Sequence, residues 1–588
     1  MDSDQAPPTF TLKDEPIENH RRLRVRVIGA GYSGIYLGIR IAQRLRNVDL
    51  RIYERNAGVG GTWWVNRYPG CACDIPSHSY QYSFEPNPRW PSFYASQSEI
   101  HMYLDDVADK YGVKRFVMLE HKVEGCSWNS KTMKWCLRIR NLKNGGLIDD
   151  ETDVLISASG NLSTPAWPDI PGLFTFRGQM MHSASWKEGF DFKNRSIGVI
   201  GNGSSAIQIV PVLQKIDKTR LSCFVRSGTW ITNPFGDNTV RKLGLDPEKL
   251  EFSTRQKEEF ANSPGKLYEF RKAIEQESNT IHAVSMRDHE MQRTIAESTR
   301  VAMRKRLASR PDIAEFLIPS FAIGCKRMTP GHGYLEALTQ SNVDFITDRI
   351  VEVNSQGVLL QSGTQVNLDY LICATGFDTS GVPPFSIYGR NGVSLETRFK
   401  PYPEAYLSLA IDGFPNFFMV AGPNSSVGTG SFTMILETQG DYIVKCIRKL
   451  QKEDYTSMEV KKKRVSDWSE YCCSYFKTTV YTDYCKSWYK SQKGDGDRIT
   501  GLWPGSTLHA LEALRAPRWE DYHWESPSDD ANKLRWLGNG WSITHTRCND
   551  QGKYGGDPAW YLDLEFQHIP VPEKPEEDPR YKKRPFSH

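Results

Sequence analysis

The sequence predicts an α/β protein with two Rossmann-like dinucleotide-binding domains and a helical insertion in the second of them. Two observations predict the paired domains. A glycine-rich turn stands between an apolar strand and an amphipathic helix at 29–34, and a similar turn stands in the same context at 201–206. A third observation predicts the insertion, because residues 236–321 are charged and helix-prone and lack the alternation typical of strands.

The first turn has the pattern Gly29-x-Gly31-x-x-Gly34. An apolar strand leads into it, a helical pattern follows, and a second strand ends in Glu54. We expect Gly29 to allow the tight turn, Gly31 to let the backbone approach a pyrophosphate, and Gly34 to let helix and strand pack closely. The helix N-terminus offers N–H groups to the phosphates, and Glu54 can accept hydrogen bonds from ribose hydroxyls.

The second turn begins at Gly201 and Gly203, and Ala206 takes the place of the third glycine. This replacement is one that the motif tolerates. Ser204 and Ser205 follow the second glycine at the start of the predicted helix, where we expect them to face the phosphates. The strand after this helix ends at Arg226 and Ser227.

Glu54 and Arg226 occupy equivalent positions, since each lies 25 residues after the first glycine of its own turn. A carboxylate there would repel a 2′-phosphate, whereas a guanidinium would bind one through charge-assisted hydrogen bonds. We therefore predict FAD in the first domain and NADPH in the second. The alternative for Arg226 is a solvated cation at the end of a strand.

The segment between the two turns carries a motif of its own. Phe176, Gly178, His182 and Trp186 have the spacing Phe, any, Gly, three residues, His, three residues, Trp. On this motif the chain resembles the type I Baeyer–Villiger monooxygenases, although Lys187 stands where the family commonly has Pro or Asp. Other segments that carry the resemblance are Gly60-Gly61-Thr62-Trp63, Arg67-Tyr68-Pro69-Gly70 with Asp74, Lys326-Arg327 and Ala374-Thr375-Gly376.

The resemblance extends from about residue 24 to about residue 520 and is strongest to the fungal branch that oxidises large secondary-metabolite ketones. It implies that NADPH reduces FAD, that reduced FAD activates O2, and that one oxygen atom enters beside a ketone carbonyl to give an ester or lactone. It also implies that His182 has a structural or gating role in a linker. The alternative for His182 is a satisfied linker histidine.

The resemblance assigns several further residues to the site. Arg327 matches the active-site arginine, a permanent cation that can stabilise anionic oxygen, and Asp74 matches the carboxylate that orients it. Lys326 matches a contact to the 2′-phosphate, and Trp488 matches a tryptophan of a mobile loop that covers NADP. Gly61, Thr62 and Trp63 match FAD-binding positions. Some bacterial relatives carry an arginine where this chain has Ala72.

We expect the FAD-binding domain at 20–160 and 380–588, including a C-terminal extension, the NADP-binding domain at 161–235 and 322–379, and the helical insertion at 236–321. The C-terminal stretch from about 521 is expected to be an irregular wrap with a loose, charged tail. Monomer and dimer both stay open as oligomeric states.

Composition limits the other partners. The net charge of +4 gives no support to a nucleic-acid partner. The sequence has no run of about 18 apolar residues, which a membrane-spanning helix would need. The N-terminus is acidic and not apolar, unlike a signal peptide, and the twelve scattered cysteines form no Cys-x-x-Cys. We therefore expect a cytoplasmic protein that needs no disulfide and binds no metal.

Two rival functions remain at this point. One is a flavin monooxygenase that oxidises nitrogen or sulfur, which Trp186 and Arg327 argue against. The other is a non-catalytic relative that binds FAD and NADP, which the intact glycine turns, Asp74 and Arg327 argue against. The substrates expected for the favoured function are O2 and a small-molecule ketone that is bulky or polycyclic.

Overall fold

The computed structural model describes residues 10–17, 20–232, 237–245, 250–491, 494, 496–527, 532–542, 559 and 562. These residues form two compact units. The larger unit comprises 22–450 with 455–526, and the smaller comprises 1–21, 451–454 and 527–588. In the smaller unit, Lys13 Nζ donates a hydrogen bond of 2.9 Å to Asp454. The expected charged tail lies outside the described residues.

The strands are β1 (Leu23–Ile28), β2 (Val48–Tyr53), β3 (Val117–Met118), β4 (His121–Asn129), β5 (Lys134–Asn141), β6 (Leu147–Thr152), β7 (Val154–Ser157), β8 (Gln179–His182), β9 (Ser196–Ile200), β10 (Arg220–Phe224), β11 (Ile231–Thr232), β12 (Thr329–Pro330), β13 (Val343–Ile346), β14 (Ile350–Val353), β15 (Gly357–Leu360), β16 (Gln365–Asn367), β17 (Tyr370–Cys373), β18 (Ser386–Tyr388), β19 (Phe417–Met419), β20 (Ser457–Val460) and β21 (Tyr522–Glu525).

The helices are α1 (Tyr32–Arg44), α2 (Thr62–Val65), α3 (Gln97–Lys110), α4 (Ser204–Gln214), α5 (Asp237–Lys242), α6 (Thr254–Asn262), α7 (Pro264–Thr280), α8 (Glu290–Arg306), α9 (Pro311–Leu317), α10 (Tyr334–Leu338), α11 (Leu395–Arg398), α12 (Phe432–Lys452), α13 (Lys462–Phe476) and α14 (Thr507–Ala513). No helix in the described parts of the chain is both long enough and apolar enough to cross a membrane.

The first sheet is parallel and has the strand order β19-β7-β1-β2-β3. All four residues of β7 are buried, as expected for a central strand covered on both faces, and all three residues of the edge strand β19 are buried as well. The carboxyl ends of β1, β7 and β19 therefore meet at one edge of this sheet. Nucleotides bind at that edge in doubly wound folds.

The second sheet is also parallel and has the order β13-β10-β9-β17-β8. Its strands all fall within the predicted NADP-binding segments, and those of the first sheet fall within the predicted FAD-binding segments. The two Rossmann-like domains are thus confirmed as a fold, whereas their exact boundaries stay predictions. Two smaller sheets, β18-β4-β5-β6 and β14-β15-β16, accompany the nucleotide folds.

The predicted insertion is helical, as expected. Ser253 caps α6 and forms a capping box with Gln256, and the His289 side chain caps α8. The strands β11 and β12 pair in parallel on either side of the insertion, with Ile231 opposite Thr329. The chain therefore leaves the second nucleotide fold and returns to it at neighbouring positions.

The insertion packs onto the first nucleotide fold through an aromatic cluster. The imidazole of His78 lies 4.9–5.5 Å, between ring centroids, from Phe252, Phe260 and Phe270. Burial among these rings lowers the pKa of His78 to about 3, and so the ring is neutral at physiological pH. The cluster fastens the insertion to the 74–83 stretch by apolar contact.

Candidate active site

The first glycine turn is built by contacts that a side chain would prevent. Gly29 has φ of +105°, and a Cβ there would lie 2.5 Å from the carbonyl oxygen of Ala158. A Cβ on Gly34 would overlap the carbonyl oxygen of Gly29. The expected roles of Gly29 in the tight turn and of Gly34 in close packing are therefore consistent with the geometry.

Gly31 stands directly before α1 and has no side-chain cap, which leaves the N–H groups of the first turn to a ligand. A Cβ on Gly31 would lie 3.4 Å from Cα of Gly61, the residue that precedes α2. Thr62 and Trp63 open that short helix. Two backbone turns thus approach each other here at a spacing that leaves the backbone accessible to a pyrophosphate.

Glu54 is buried at the end of β2, beside the turn. One carboxylate oxygen accepts a hydrogen bond of 2.8 Å from the Ala30 N–H, and the other accepts from the Asn56 N–H and side-chain amide at 2.8 and 2.6 Å. These contacts hold the carboxylate against the glycine turn. A carboxylate accepts about four hydrogen bonds, so capacity remains for a ribose hydroxyl.

Two buried polar atoms lie near the carboxyl ends of the strands of the first sheet and have no hydrogen-bond partner among the described residues. They are Oγ of Ser425 and Nε2 of Gln439, and both side chains are 0% exposed. The other amide atom of Gln439 accepts from the Ala421 N–H at 3.0 Å. Because buried polar groups are normally paired, these two atoms fit the polar edge of a bound flavin.

The second glycine turn repeats this construction. Gly201 has φ of +116°, and a Cβ there would lie 2.5 Å from the carbonyl oxygen of Ala374. Gly203 stands before α4 without a side-chain cap, and a Cβ on it would meet no described atom within 4 Å. Ser204 Oγ lies 3.0 Å from the Thr329 hydroxyl. The turn and the helix N-terminus are again available to phosphates.

A cationic cluster lies at the carboxyl end of β10. Lys326 Nζ donates hydrogen bonds of 3.2 Å to the Ser227 hydroxyl and to the Gly228 carbonyl oxygen. Burial, together with the positive charge of nearby Arg226, lowers the pKa of Lys326 to about 8. Arg226, Ser227 and Lys326 are therefore brought together as predicted, and two neighbouring cations beside a hydroxyl suit an anion of the size of a phosphate.

Arg327 and Asp74 form a bidentate ion pair. Arg327 donates from Nε and Nη2 to the two carboxylate oxygens of Asp74, at 2.8 and 2.6 Å. The side chains are 28% and 14% exposed. Burial disfavours the charge of Arg327, but Asp74 more than offsets that effect and raises its pKa above the ordinary value. The guanidinium therefore keeps its positive charge at every working pH.

Tyr489 is a site residue that the sequence analysis missed. Its buried hydroxyl lies close enough to Arg327 to feel the charge of the guanidinium. Burial raises the pKa of Tyr489 to about 12, although the positive charge of Arg327 opposes this rise. The Tyr489 ring lies 4.7 Å, between centroids, from Trp488 and 5.6 Å from Tyr481. Its position directly after the predicted Trp488 was the only signal available in the sequence.

Trp488 lines a cleft beside this cluster. The cleft is bounded by the segment after β7, by the turn after β19 and by residues Thr500 and Gly501. Asn161, in the first of these walls, donates 3.1 Å to the Ser426 hydroxyl. Gly422 and Pro423, in the turn after β19, therefore border the same cleft as Trp488.

Cys325 and Cys485 form a disulfide, which corrects the expectation that the chain would need none. The two residues are 160 positions apart, too far for spacing alone to suggest a pair. Each of them, however, lies within three residues of a predicted site residue, Cys325 near Arg327 and Cys485 near Trp488.

The motif between the two turns is spread over β8 and its flanks. His182 ends β8 and is buried; its Nδ1 accepts from the Ala184 N–H at 3.0 Å, and its Nε2 lies 3.3 Å from the Thr375 hydroxyl. Burial lowers the pKa of His182. Trp186 packs against Phe192, with ring centroids 6.0 Å apart. His182 and Trp186 therefore pack against residues other than Arg327 and Asp74.

The two remaining motif residues, Phe176 and Gly178, lie in close contact. A Cβ on Gly178 would overlap the ring of Phe176 and approach the carbonyl oxygen of Asp369 to 2.5 Å.

Ala72 stands at the position where some relatives have an arginine. Its backbone is held by α4, because Gln208 Nε2 donates a hydrogen bond of 2.9 Å to the Ala72 carbonyl oxygen. The segment that leads to Asp74 is thereby fixed against the second nucleotide fold.

Comparisons with known proteins identify relatives of the whole chain. A family model described as flavin-binding monooxygenase-like matches residues 22–263. The chain is 38% identical over 545 residues to the FAD-binding monooxygenase tazF of Aspergillus terreus, covering 92% of this chain and 95% of that protein. It is 33% identical over 500 residues to a Baeyer-Villiger monooxygenase of Streptomyces coelicolor, covering 84% and 91%. The structure of OTEMO in complex with FAD and NADP matches at a TM-score of 0.73 and 25% identity, covering 85% of this chain and 99% of that one.

Proposed function

Because the chain belongs to the flavin-binding monooxygenases, and among them to the type I Baeyer–Villiger monooxygenases, we propose that it inserts one oxygen atom from O2 beside the carbonyl of a bulky or polycyclic ketone. The product is an ester or a lactone. The observation that carries this proposal is the bidentate pair of Arg327 and Asp74, which fixes a permanent cation between the two nucleotide folds.

FAD and NADPH are the cofactors of the enzyme. The turn at Gly29, Gly31 and Gly34 holds the FAD pyrophosphate, and Glu54 holds its ribose. The turn at 201–206 holds the NADPH pyrophosphate, with Arg226, Ser227 and Lys326 on the 2′-phosphate. When bound, the two cofactors supply hydride transfer and the activation of O2.

The protein contributes fixed charge to this chemistry. Negative charge develops on the carbonyl oxygen as the ketone is attacked, and a pre-oriented cation stabilises that charge at little reorganisation cost. Asp74 fixes the guanidinium plane of Arg327 and balances part of its charge in a partly buried site. Tyr489 adds a hydroxyl beside the same guanidinium.

The choice of a ketone over a nitrogen or sulfur nucleophile follows from that cation. A soft nucleophile needs no stabilised oxyanion on the substrate, whereas attack on a carbonyl carbon creates one. The resemblance to the fungal branch supports a bulky or polycyclic substrate and a place in secondary metabolism.

The test is turnover with a panel of cyclic, polycyclic and aryl ketones under 18O2. We expect NADPH consumption that depends on the ketone, and an ester or lactone with one labelled oxygen. Sulfide oxidation alone would not decide, because both classes of monooxygenase perform it. Labelled N-oxides or S-oxides without any labelled ester across the ketone panel would contradict the proposal.

A further inference from the structure

The disulfide stands between two loops of the site. Cys325 lies two residues before Arg327, and Cys485 lies three residues before Trp488. The two cysteines are 0% and 9% exposed. The bridge therefore joins the loop that carries Lys326 and Arg327 to residues 483–490, which we call the covering segment.

Asp483 attaches the covering segment to the same loop a second time. One carboxylate oxygen accepts from the Ala322 N–H at 3.1 Å, and the other accepts from Arg287 Nη1 at 2.8 Å. The Asp483 carbonyl oxygen accepts from Lys490 Nζ at 2.5 Å. Arg287 is 43% exposed, and an ion pair this open to water is a weak restraint compared with a covalent bond.

The far end of the covering segment is held by the first nucleotide fold. The carbonyl oxygen of Tyr489 accepts from the N–H groups of Thr500 and Gly501, both at 2.9 Å. The side-chain amide of Asn424 in turn donates to the carbonyl oxygens of Ile499 and Leu502. The covering segment thus spans from the Arg327 loop to the turn after β19.

We propose that the Cys325–Cys485 bridge is a positioning element, which holds Trp488 and Tyr489 in place over the Arg327 loop and the NADP site. For the role of Trp488 at NADP, this inference rests on the proposed function. A crosslink that closes a long stretch of chain removes many alternative arrangements of the segment it holds. Reduction of the bridge frees the covering segment to leave the loop, while the two nucleotide folds stay intact.

The reduction is a two-electron step. A phosphine attacks one sulfur, the S–S bond breaks, water supplies the oxygen of the phosphine oxide, and the two sulfurs take up protons to become thiols. In a reducing compartment the thiol pool supplies the same two electrons. The arrangement of the covering segment would then follow the redox state around the enzyme.

The experiment compares the holoenzyme purified without reductant, the same sample treated with a phosphine, and the variant C325S/C485S. Mass spectrometry after alkylation should find two fewer reactive thiols in the untreated enzyme than in the reduced one. If the freed segment occupies its closed arrangement about one tenth of the time, the dissociation constant for NADP+ rises about tenfold.

Two readouts separate positioning from general loss of structure. We expect the KM for NADPH to rise about tenfold while the rate of flavin reduction at saturating NADPH stays close to that of the untreated enzyme. Hydrogen exchange should accelerate in peptides that cover 483–490 and remain unchanged in β1 and β9. Reoxidation should restore all values. Cys473→Ser, at an exposed free cysteine on α13, is the matched control and should respond to phosphine like the wild type.

Equal NADP+ affinity in the bridged and reduced enzymes would overturn the proposal, as would equal thiol counts in the two samples. The wild-type comparison decides the matter even if C325S/C485S fails to fold. NADP+ binding and hydrogen exchange need no ketone. If the proposed function failed, no ester would form, but the bridged and reduced enzymes would still differ in NADP+ affinity and hydrogen exchange. If this inference failed, ester would form, but the two enzymes would not differ in these measurements.

Discussion

Asp74 and Arg327 are 253 positions apart in the chain, and each uses two of its side-chain atoms to bind the other. Asp74 follows the first glycine turn, and Arg327 follows the insertion in the second nucleotide fold. The pair is therefore a contact between the two cofactor-binding halves. Its geometry forms only when both halves are folded and docked.

Replacing Arg327 by alanine should separate the two half-reactions. We expect Arg327→Ala to be reduced by NADPH at a rate close to that of the wild type, because the residues on the nucleotide are untouched. Ester formation should fall at least about 100-fold, since a pre-oriented charge is lost. Stopped-flow absorbance of the flavin and product analysis measure the two steps. Full ester yield would remove Arg327 from the mechanism.

Arg327→Lys is the matched control for charge. Lysine keeps a positive charge but cannot form the planar, two-point contact with Asp74. We expect ester formation between that of Arg327→Ala and that of the wild type. An ester yield equal to that of Arg327→Ala would show that the orientation of the planar guanidinium matters more than its charge.

Arg226 should discriminate between the two nicotinamide cofactors. An exposed charge-assisted hydrogen bond to a phosphate contributes about 1.5 kcal/mol, and so Arg226→Ala should weaken NADPH binding roughly tenfold. NADH lacks the 2′-phosphate and should be unaffected. Arg220→Ala, on an exposed side chain at the other end of β10, is the control. Equal losses for NADPH and NADH would contradict the assignment.

Lys326 should make NADPH affinity depend on pH. Its pKa in the free protein is about 8, lowered by burial and by Arg226. A bound phosphate favours the protonated lysine, so the affinity is fully present below pH 8 and decreases as the pH rises through that value. The decrease should approach about tenfold per pH unit until the pKa of the complex is reached.

Titration of NADPH and NADH binding between pH 7 and pH 10 measures this effect. NADH affinity should stay flat over the range. Lys326→Arg should flatten the NADPH curve, because arginine stays protonated there. If the NADPH affinity of Lys326→Arg still decreased as the pH rose, the titrating group would be a residue other than Lys326.

Gly34→Ala should prevent normal flavin loading. Its Cβ would overlap the carbonyl oxygen of Gly29, so the turn must move, and overpacking of this kind costs about 1–3 kcal/mol. Flavin absorbance per chain and the unfolding midpoint report the two effects. Gly265→Ala, in the first turn of α7 with no described atom within 4 Å of the added carbon, should load FAD fully. Equal loading of both variants would contradict the steric argument.

Much of the fold could be predicted because its signals are local. A strand, a glycine turn and a helix are contiguous in sequence, and both nucleotide folds were predicted from that pattern. The 25-residue offset also placed Glu54 and Arg226 at equivalent strand ends, where the structure puts them.

The residues that escaped prediction depend on chain segments far apart in sequence. No periodicity connects Cys325 to Cys485 or Tyr489 to Arg327, since only the docked fold brings them together. Gln439 looked like an ordinary polar residue of α12, and only its burial without a described partner for Nε2 sets it apart. Resemblance could locate Arg327 and Asp74, but the contacts that surround the pair had to be seen.

The paired strands β11 and β12 give this architecture one further property. Arg327 stands two residues before Thr329, where the returning chain pairs with the departing one. The two ends of the chain between Thr232 and the Arg327 loop are therefore held side by side. A change within this excursion would act on the insertion first, while the β11–β12 pair keeps Arg327 anchored where the chain returns.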